Sequence, residues 1–165
     1  MSLLEKIRHK IYPAGAADRL SHILAEREGK VVFTNGCFDI IHRGHIDYLS
    51  KAREMGGLLV IGLNSDASVR RLKGDQRPLQ DEGSRSEVLA SLSFVDYVIL
   101  FEEDSPLELI KTLRPHILVK GSDYALHEIV GAEEVIRNGG KVIPLDYLPG
   151  YSTTAIEERI LKHRQ

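Results

Sequence analysis

The chain has 165 residues, 28% of them charged, with 22 Lys and Arg against 24 Asp and Glu and a formal net charge of −2. That length suits one domain with one good core, and the interspersed charges leave no basic face for nucleic acid. The longest apolar run, Leu58-Leu59-Val60-Ile61, falls far short of a bilayer span, and the lone Cys37 excludes an intrachain disulfide. With no signal peptide at the N-terminus, the chain reads as cytoplasmic, without membrane or nucleic-acid partners.

The first thirty residues predict a helical extension of two helices, Ser2–Lys10 and Ala16–Glu28, outside any sheet, followed by a domain over 31–165. From Val31 onward, short apolar runs alternate with helical patterns, the signature of a parallel sheet. Strands are predicted at Val31–Phe33, Leu58–Leu63, Tyr97–Phe101, Ile117–Lys120 and Lys141–Leu145. Helices are predicted at Arg43–Met55, Ser65–Leu72, Gly83–Leu92, Pro106–Leu113, Ala132–Asn138 and Thr153–Lys162. Ser105-Pro106 suits a helix start, with the serine as N-cap, and Asn138-Gly139-Gly140 suits a helix end. The polar stretch Lys73–Gly83 reads as a surface loop. The expected fold is α/β: a single Rossmann-like, doubly wound parallel sheet with helices on both faces.

In such sheets ligands bind beyond the carboxyl ends of the strands, at the switch in strand order. Polar chemistry gathers at three of those ends: Thr34-Asn35-Gly36 with the following His42 and His45, Asn64-Ser65-Asp66, and Lys120-Gly121-Ser122-Asp123. A fourth segment, Ser152-Thr153-Thr154, offers hydroxyls at the start of the last helix. His42 and His45 are three residues apart at a helix N-terminus, which places them on one face beside free N–H groups that attract anions. Gly44 between them lets backbone come close to a ligand. Together these groups form a site for a polyphosphate. A protein-held metal is not indicated, because there is no second cysteine and no His-Glu-x-x-His helix. A Walker loop and a dinucleotide fingerprint are also absent.

Thr34-x-Gly36-x-Phe38-Asp39 followed by His42-Arg43-Gly44-His45 resembles the nucleotidyltransferase superfamily with the His-x-Gly-His signature, whose members join a nucleotide to a phosphorylated small molecule. Asn64-Ser65-Asp66-Ala67-Ser68 with Arg71-Leu72-Lys73-Gly74-Asp75, Arg77-Pro78, and Val119-Lys120-Gly121-Ser122-Asp123-Tyr124 is similar to the heptose branch, the adenylyltransferases that make ADP-heptose for the lipopolysaccharide inner core. The resemblance implies transfer of AMP from ATP to D-glycero-β-D-manno-heptose 1-phosphate, with release of pyrophosphate, and Mg²⁺ carried by the ATP phosphates. It further implies a free-standing homo-oligomer.

On this resemblance His42, His45, Lys73 and Arg85 are the catalytic set, with Arg85 contacting phosphate from the head of a helix. Thr34, Asn35, Gly36, Phe38, Gly44, Lys120, Gly121, Asp123, Ser152, Thr153 and Thr154 join the two histidines in binding nucleotide. Asp39, Asn64, Asp66 and Lys73 face the acceptor, Asp39 as a residue that orients the loop rather than as a base. Cys37 is expected to be buried and inert. The alternative is a cytidylyltransferase using CTP and glycerol 3-phosphate or a similar alcohol phosphate. The arginine that those relatives carry just before Ser-Thr-Thr is missing from Tyr147-Leu148-Pro149-Gly150.

Overall fold

A computed structural model describes residues 1–163. Six strands form one sheet: β1 (Ile11–Tyr12), β2 (Val31–Gly36), β3 (Leu58–Asn64), β4 (Tyr97–Phe101), β5 (Ile117–Gly121) and β6 (Lys141–Leu145). Their spatial order is β1-β4-β3-β2-β5-β6, and every pairing is parallel. Eight helices connect them: α1 (Leu3–Arg8), α2 (Ala17–Ala25), α3 (Arg43–Glu54), α4 (Asp66–Lys73), α5 (Glu82–Ser91), α6 (Leu107–Leu113), α7 (Ala132–Arg137) and α8 (Thr153–Lys162), with one 3₁₀ turn at Leu126–Glu128. No described helix is long and apolar enough to cross a membrane.

Alternation along the strands builds two cores, because successive side chains point to opposite faces. Phe33, Val60, Ile99 and Leu118 meet Leu20, Ile110 and Val135 on one face. Val32, Leu59, Ile61, Val98 and Val119 meet Leu49, Ala52 and Leu89 on the other. Helices therefore cover both faces, as the apolar pattern requires.

The expected helices at the N-terminus form, but that segment is not outside the sheet. Ile11 and Tyr12 pair with Val98 and Ile99 as an edge strand, and Leu20 and Leu24 of α2 are buried in the first core. Lys10 secures the junction by donating to the carbonyls of Ala90 at 3.1 Å and Val95 at 2.8 Å. Two residues are too few to show a period of two, and Pro13 follows directly, which suits an edge strand. A smaller difference lies at α6: Pro106 is itself the N-cap, and Ser105 Oγ accepts from the Leu107 N–H at 3.3 Å.

The chain leaves β2 toward β3 and β4 on one side and later crosses to place β5 on the other side of β2. The strand order reverses at the β2–β5 pair, so a crevice opens beyond Gly36 and Gly121.

Candidate active site

Two adjoining lobes occupy that crevice. An inner lobe of about 160 Å³ is walled by Phe38, Asp39, His45, Tyr48 and Thr153. An outer lobe of about 450 Å³ is walled by Asn64, Leu72, Asp104, Ser105, Pro106, Tyr124, Glu128, Ile129 and Val130. Asn35, Gly36, Cys37, Lys73, Lys120 and Tyr147 line both lobes. A separate cavity of about 400 Å³ near Gly15 and Phe101 presents three glutamates and no cation, which suits no polyphosphate.

The turn after β2 delivers the histidines. Phe38 is held at φ 46, a region that bulky residues rarely occupy, and its ring packs 5.2 Å from that of His45. His42 is the N-cap of α3, and its Nδ1 accepts from the Gly44 N–H at 3.1 Å. His45 Nδ1 in turn accepts from the His42 N–H at 3.4 Å. The two rings stack with centroids 3.8 Å apart. With Nδ1 taken as acceptor, His42 carries its proton on Nε2, which is left to donate.

Burial lowers the His42 pKa. Burial, then the neighbouring His42 and Lys73 charges, bring His45 down to about 4 against the opposing Ile40 carbonyl. Both rings are therefore neutral donors at pH 7. Gly44 serves the stack itself, since a Cβ there would lie 3.0 Å from the His42 ring.

Lysines supply the positive charge. Lys73, at the end of α4, lines both lobes. Lys120, at the end of β5, reaches the Asn35 carbonyl at 3.5 Å. Burial lowers its pKa, with Cys37 and Asp123 opposing. Asn35 Oδ1 is buried without a hydrogen-bond partner. At α8 the Ser152 hydroxyl accepts from the Ala155 N–H at 3.1 Å, so its own O–H is free to donate, and Thr153 lines the inner lobe. Ser152 and Thr154 are exposed beside it.

Several expected contacts fall elsewhere. Arg85 does not face the cleft: its side chain is wholly buried. It donates to the carbonyls of Gln80, Cys37 and Asn64 and to Asp66 Oδ1 at 2.7–3.0 Å. It ties together the loops after β2 and β3 and before α5, and Asp66 is its counter-ion rather than an acceptor contact. Thr34 is buried under the cleft, paired through its hydroxyl with Tyr48 at 2.9 Å.

Asp39 accepts from Arg77, Leu79 and Gln80. Burial alone would raise its pKa, but the Gln80 and Leu79 N–H groups and Arg77 hold it below the usual carboxylate range. It orients the loop between α4 and α5, residues 74–81, which is shorter at both ends than the Lys73–Gly83 loop expected. Both Asp39 oxygens are engaged. Asp123 is exposed and lines neither lobe. Gly121 is pressed against a side chain: a Cβ there would lie 2.2 Å from the Tyr147 hydroxyl oxygen. Cys37 is half-buried in the cleft wall rather than buried.

Tyr48 and Tyr147 went unrecognised in the sequence. Their rings stack at 5.7 Å; Tyr48 lines the inner lobe and Tyr147 lines both. Tyr48 lies three residues after His45, on the same helical face, and that spacing was the available signal. Tyr147, in an irregular segment, gave none. Among the described residues no group of three or more His, Cys, Asp or Glu side chains is placed to hold a metal. The site's donors suit phosphate oxygens, so a divalent ion that fits here is one coordinated by the ligand's phosphates and water.

The description "cytidylyltransferase-like" matches residues 33–159. The chain is 61% identical over 136 residues to the bifunctional protein HldE of Syntrophotalea carbinolica, covering 82% of this chain and 28% of that protein. It is 54% identical over 147 residues to the HldE of Citrifermentans bemidjiense, covering 87% of this chain and 30% of that one. The chain thus spans under a third of the length of these relatives. Among solved structures, the lipopolysaccharide core biosynthesis protein of Thermoplasma volcanium is similar with a TM-score of 0.62 and 28% identity, over 73% of this chain and 99% of that one. On its sheet order, its stacked histidines and these matches, the chain belongs to the cytidylyltransferase-like family of nucleotidyltransferase domains.

Proposed function

We propose that this chain transfers AMP from ATP to D-glycero-β-D-manno-heptose 1-phosphate, giving ADP-heptose and pyrophosphate. The observation that carries this reading is the convergence of His45, Lys73, Lys120 and Thr153 on one two-lobed crevice, with His42 stacked behind His45. The kinship with HldE proteins and with a lipopolysaccharide core biosynthesis protein supports the heptose acceptor.

The sugar phosphate is its own nucleophile. The second pKa of a phosphate monoester is about 6, so at pH 7 an unprotonated oxygen is available to attack the α-phosphorus. The bond from the α-phosphorus to the bridging β-oxygen breaks, and pyrophosphate departs. What the protein must supply is positioning and fixed positive potential. His45, as a neutral donor, and Thr153 with the first N–H groups of α8 hold the β- and γ-phosphates in the inner lobe. The Nε2–H of His42, stacked on His45 outside the lobe's wall, is the further donor to the departing pyrophosphate. Lys73 and Lys120 bracket the reacting phosphates, and the outer lobe takes the sugar. Arg85 and Asp39 act indirectly, by fixing the loops that carry these groups. A Mg²⁺ ion would be held here by the ATP phosphates and water rather than by side chains of this chain, and would supply charge neutralisation for the leaving pyrophosphate. In this reading the protein works in the cytoplasm as a homo-oligomer.

Pyrophosphate release with ATP or CTP, each paired with the heptose 1-phosphate or with glycerol 3-phosphate, tests the proposal. Release confined to ATP with the heptose supports it. Release with CTP and glycerol 3-phosphate moves the chain to the cytidylyl reading.

A further inference from the structure

Helix α8 carries Thr153 into the inner lobe, yet it is docked without a hydrophobic anchor. None of its residues is buried, and neither core includes one of them, even among the partly buried residues packed against it. Ile160 and Leu161 are more than half exposed. Two arginines hold the segment instead. Arg43, the first residue of α3, donates to the Tyr151 hydroxyl at 3.0 Å and lies 5.4 Å from the centre of its ring. Arg77, in the loop before α5, bridges two carboxylates: Asp39 Oδ2 at 3.1 Å and Glu157 on α8. Asp39 is almost wholly buried, and the N–H groups of Leu79 and Gln80 fix it. Arg77 is therefore anchored on the histidine-bearing turn and reaches outward to the helix.

We propose that Arg77 and Glu157 form a latch that seats the start of α8 against the phosphate lobe, which makes Arg77 a positioning residue for nucleoside triphosphate binding. The inference rests on reading the crevice as a nucleotide site. An ion pair on the surface contributes little to overall stability. Here, however, it competes only with the detachment of a helix that has no core contact, so it sets the fraction of molecules in which Thr153 faces the lobe. Apparent affinity falls in proportion to that fraction, whereas turnover of the filled, latched complex is unchanged. The expected signature is a rise in KM for ATP at nearly constant kcat.

Glu157→Ala, Glu157→Asp and Arg77→Gln are compared with the wild type by amide hydrogen exchange across α8, by KM and kcat for MgATP, and by melting temperature. Glu157→Ala is expected to speed α8 exchange and raise KM about two- to fivefold, with kcat within about twofold and the melt nearly unmoved. Glu157→Asp recovers part of both effects, and Arg77→Gln reproduces them with some loss of stability at Asp39. Unchanged α8 exchange in Glu157→Ala overturns the latch. Faster exchange with an unchanged KM overturns its role in nucleotide binding. A wild type that neither binds nor turns over MgATP overturns the nucleotide reading itself, and the exchange arm still decides whether Glu157 holds the helix.

Discussion

Replacing Arg85 with methionine removes four hydrogen bonds and one buried charge at a stroke. The guanidinium donates to three backbone carbonyls and to Asp66, and no part of the side chain is exposed. Removing one partner of a buried pair costs about 3–5 kcal/mol. Asp66 remains 23% exposed and recovers some hydration, which puts the expected loss near the lower end, about 3 kcal/mol. For a chain of this size each kcal/mol moves the melting temperature by about 2–4 °C, so Arg85→Met should melt about 6–12 °C below the wild type. Arg85→Lys, which keeps the charge but reaches fewer acceptors, should fall between. Thermal and urea unfolding of the three proteins measures this directly. A melt within about 2 °C of wild type, combined with collapse of turnover, would refute the keystone role and show Arg85 reaching phosphate.

Acid sensitivity should trace His45. Its folded pKa near 4 lies below the ordinary 6.5, so the unfolded chain binds more protons between those values. Stability is complete above about pH 6.5 and is lost as pH falls toward 4, by up to about 3 kcal/mol. His45→Gln should remove the larger part of that loss in urea midpoints, leaving the part that belongs to His42, whose pKa burial also lowers from 6.5, and the loss tied to Asp39 below its ordinary 3.8. A profile unchanged from wild type would contradict the burial of a neutral His45. Gly121→Ala should displace Tyr147, because the new Cβ would lie 2.3 Å from ring carbons. MgATP binding by titration should weaken about tenfold, at a stability cost of about 1 kcal/mol. Unchanged affinity would show that the placement of Tyr147 does not matter to the site.

The main parallel sheet was legible because its signals are local and redundant. From Val31 onward every predicted strand and helix is present with ends shifted by at most three residues, since β-branched runs, caps and glycines mark each one. The edge strand Ile11–Tyr12 was not legible: it is defined by its neighbour β4 and not by any period of its own. At the site, residues that touch the crevice through a motif position, such as His45, Asn35 and Thr153, were readable from spacing. Arg85 and Asp39 were misplaced or only half understood because a charged residue's partners lie far off in sequence. The Arg85–Cys37 bond spans 48 positions and the Asp39–Gln80 bond 41, and nothing local distinguishes a buried guanidinium from one poised over a ligand. Tyr147 was invisible for a related reason: its role depends on a glycine 26 residues earlier having no Cβ.

The proposed role of the stacked histidine pair is to donate to the departing pyrophosphate, and His42→Asn probes that role in isolation. Asparagine keeps the N-cap of α3 but removes the Nε2 donor, so folding and chemistry separate in one variant. With MgATP and D-glycero-β-D-manno-heptose 1-phosphate, pyrophosphate release should fall about 100- to 1000-fold, while the melting temperature stays within a few degrees of wild type. Release at the wild-type rate would show that His42 does not serve the leaving group.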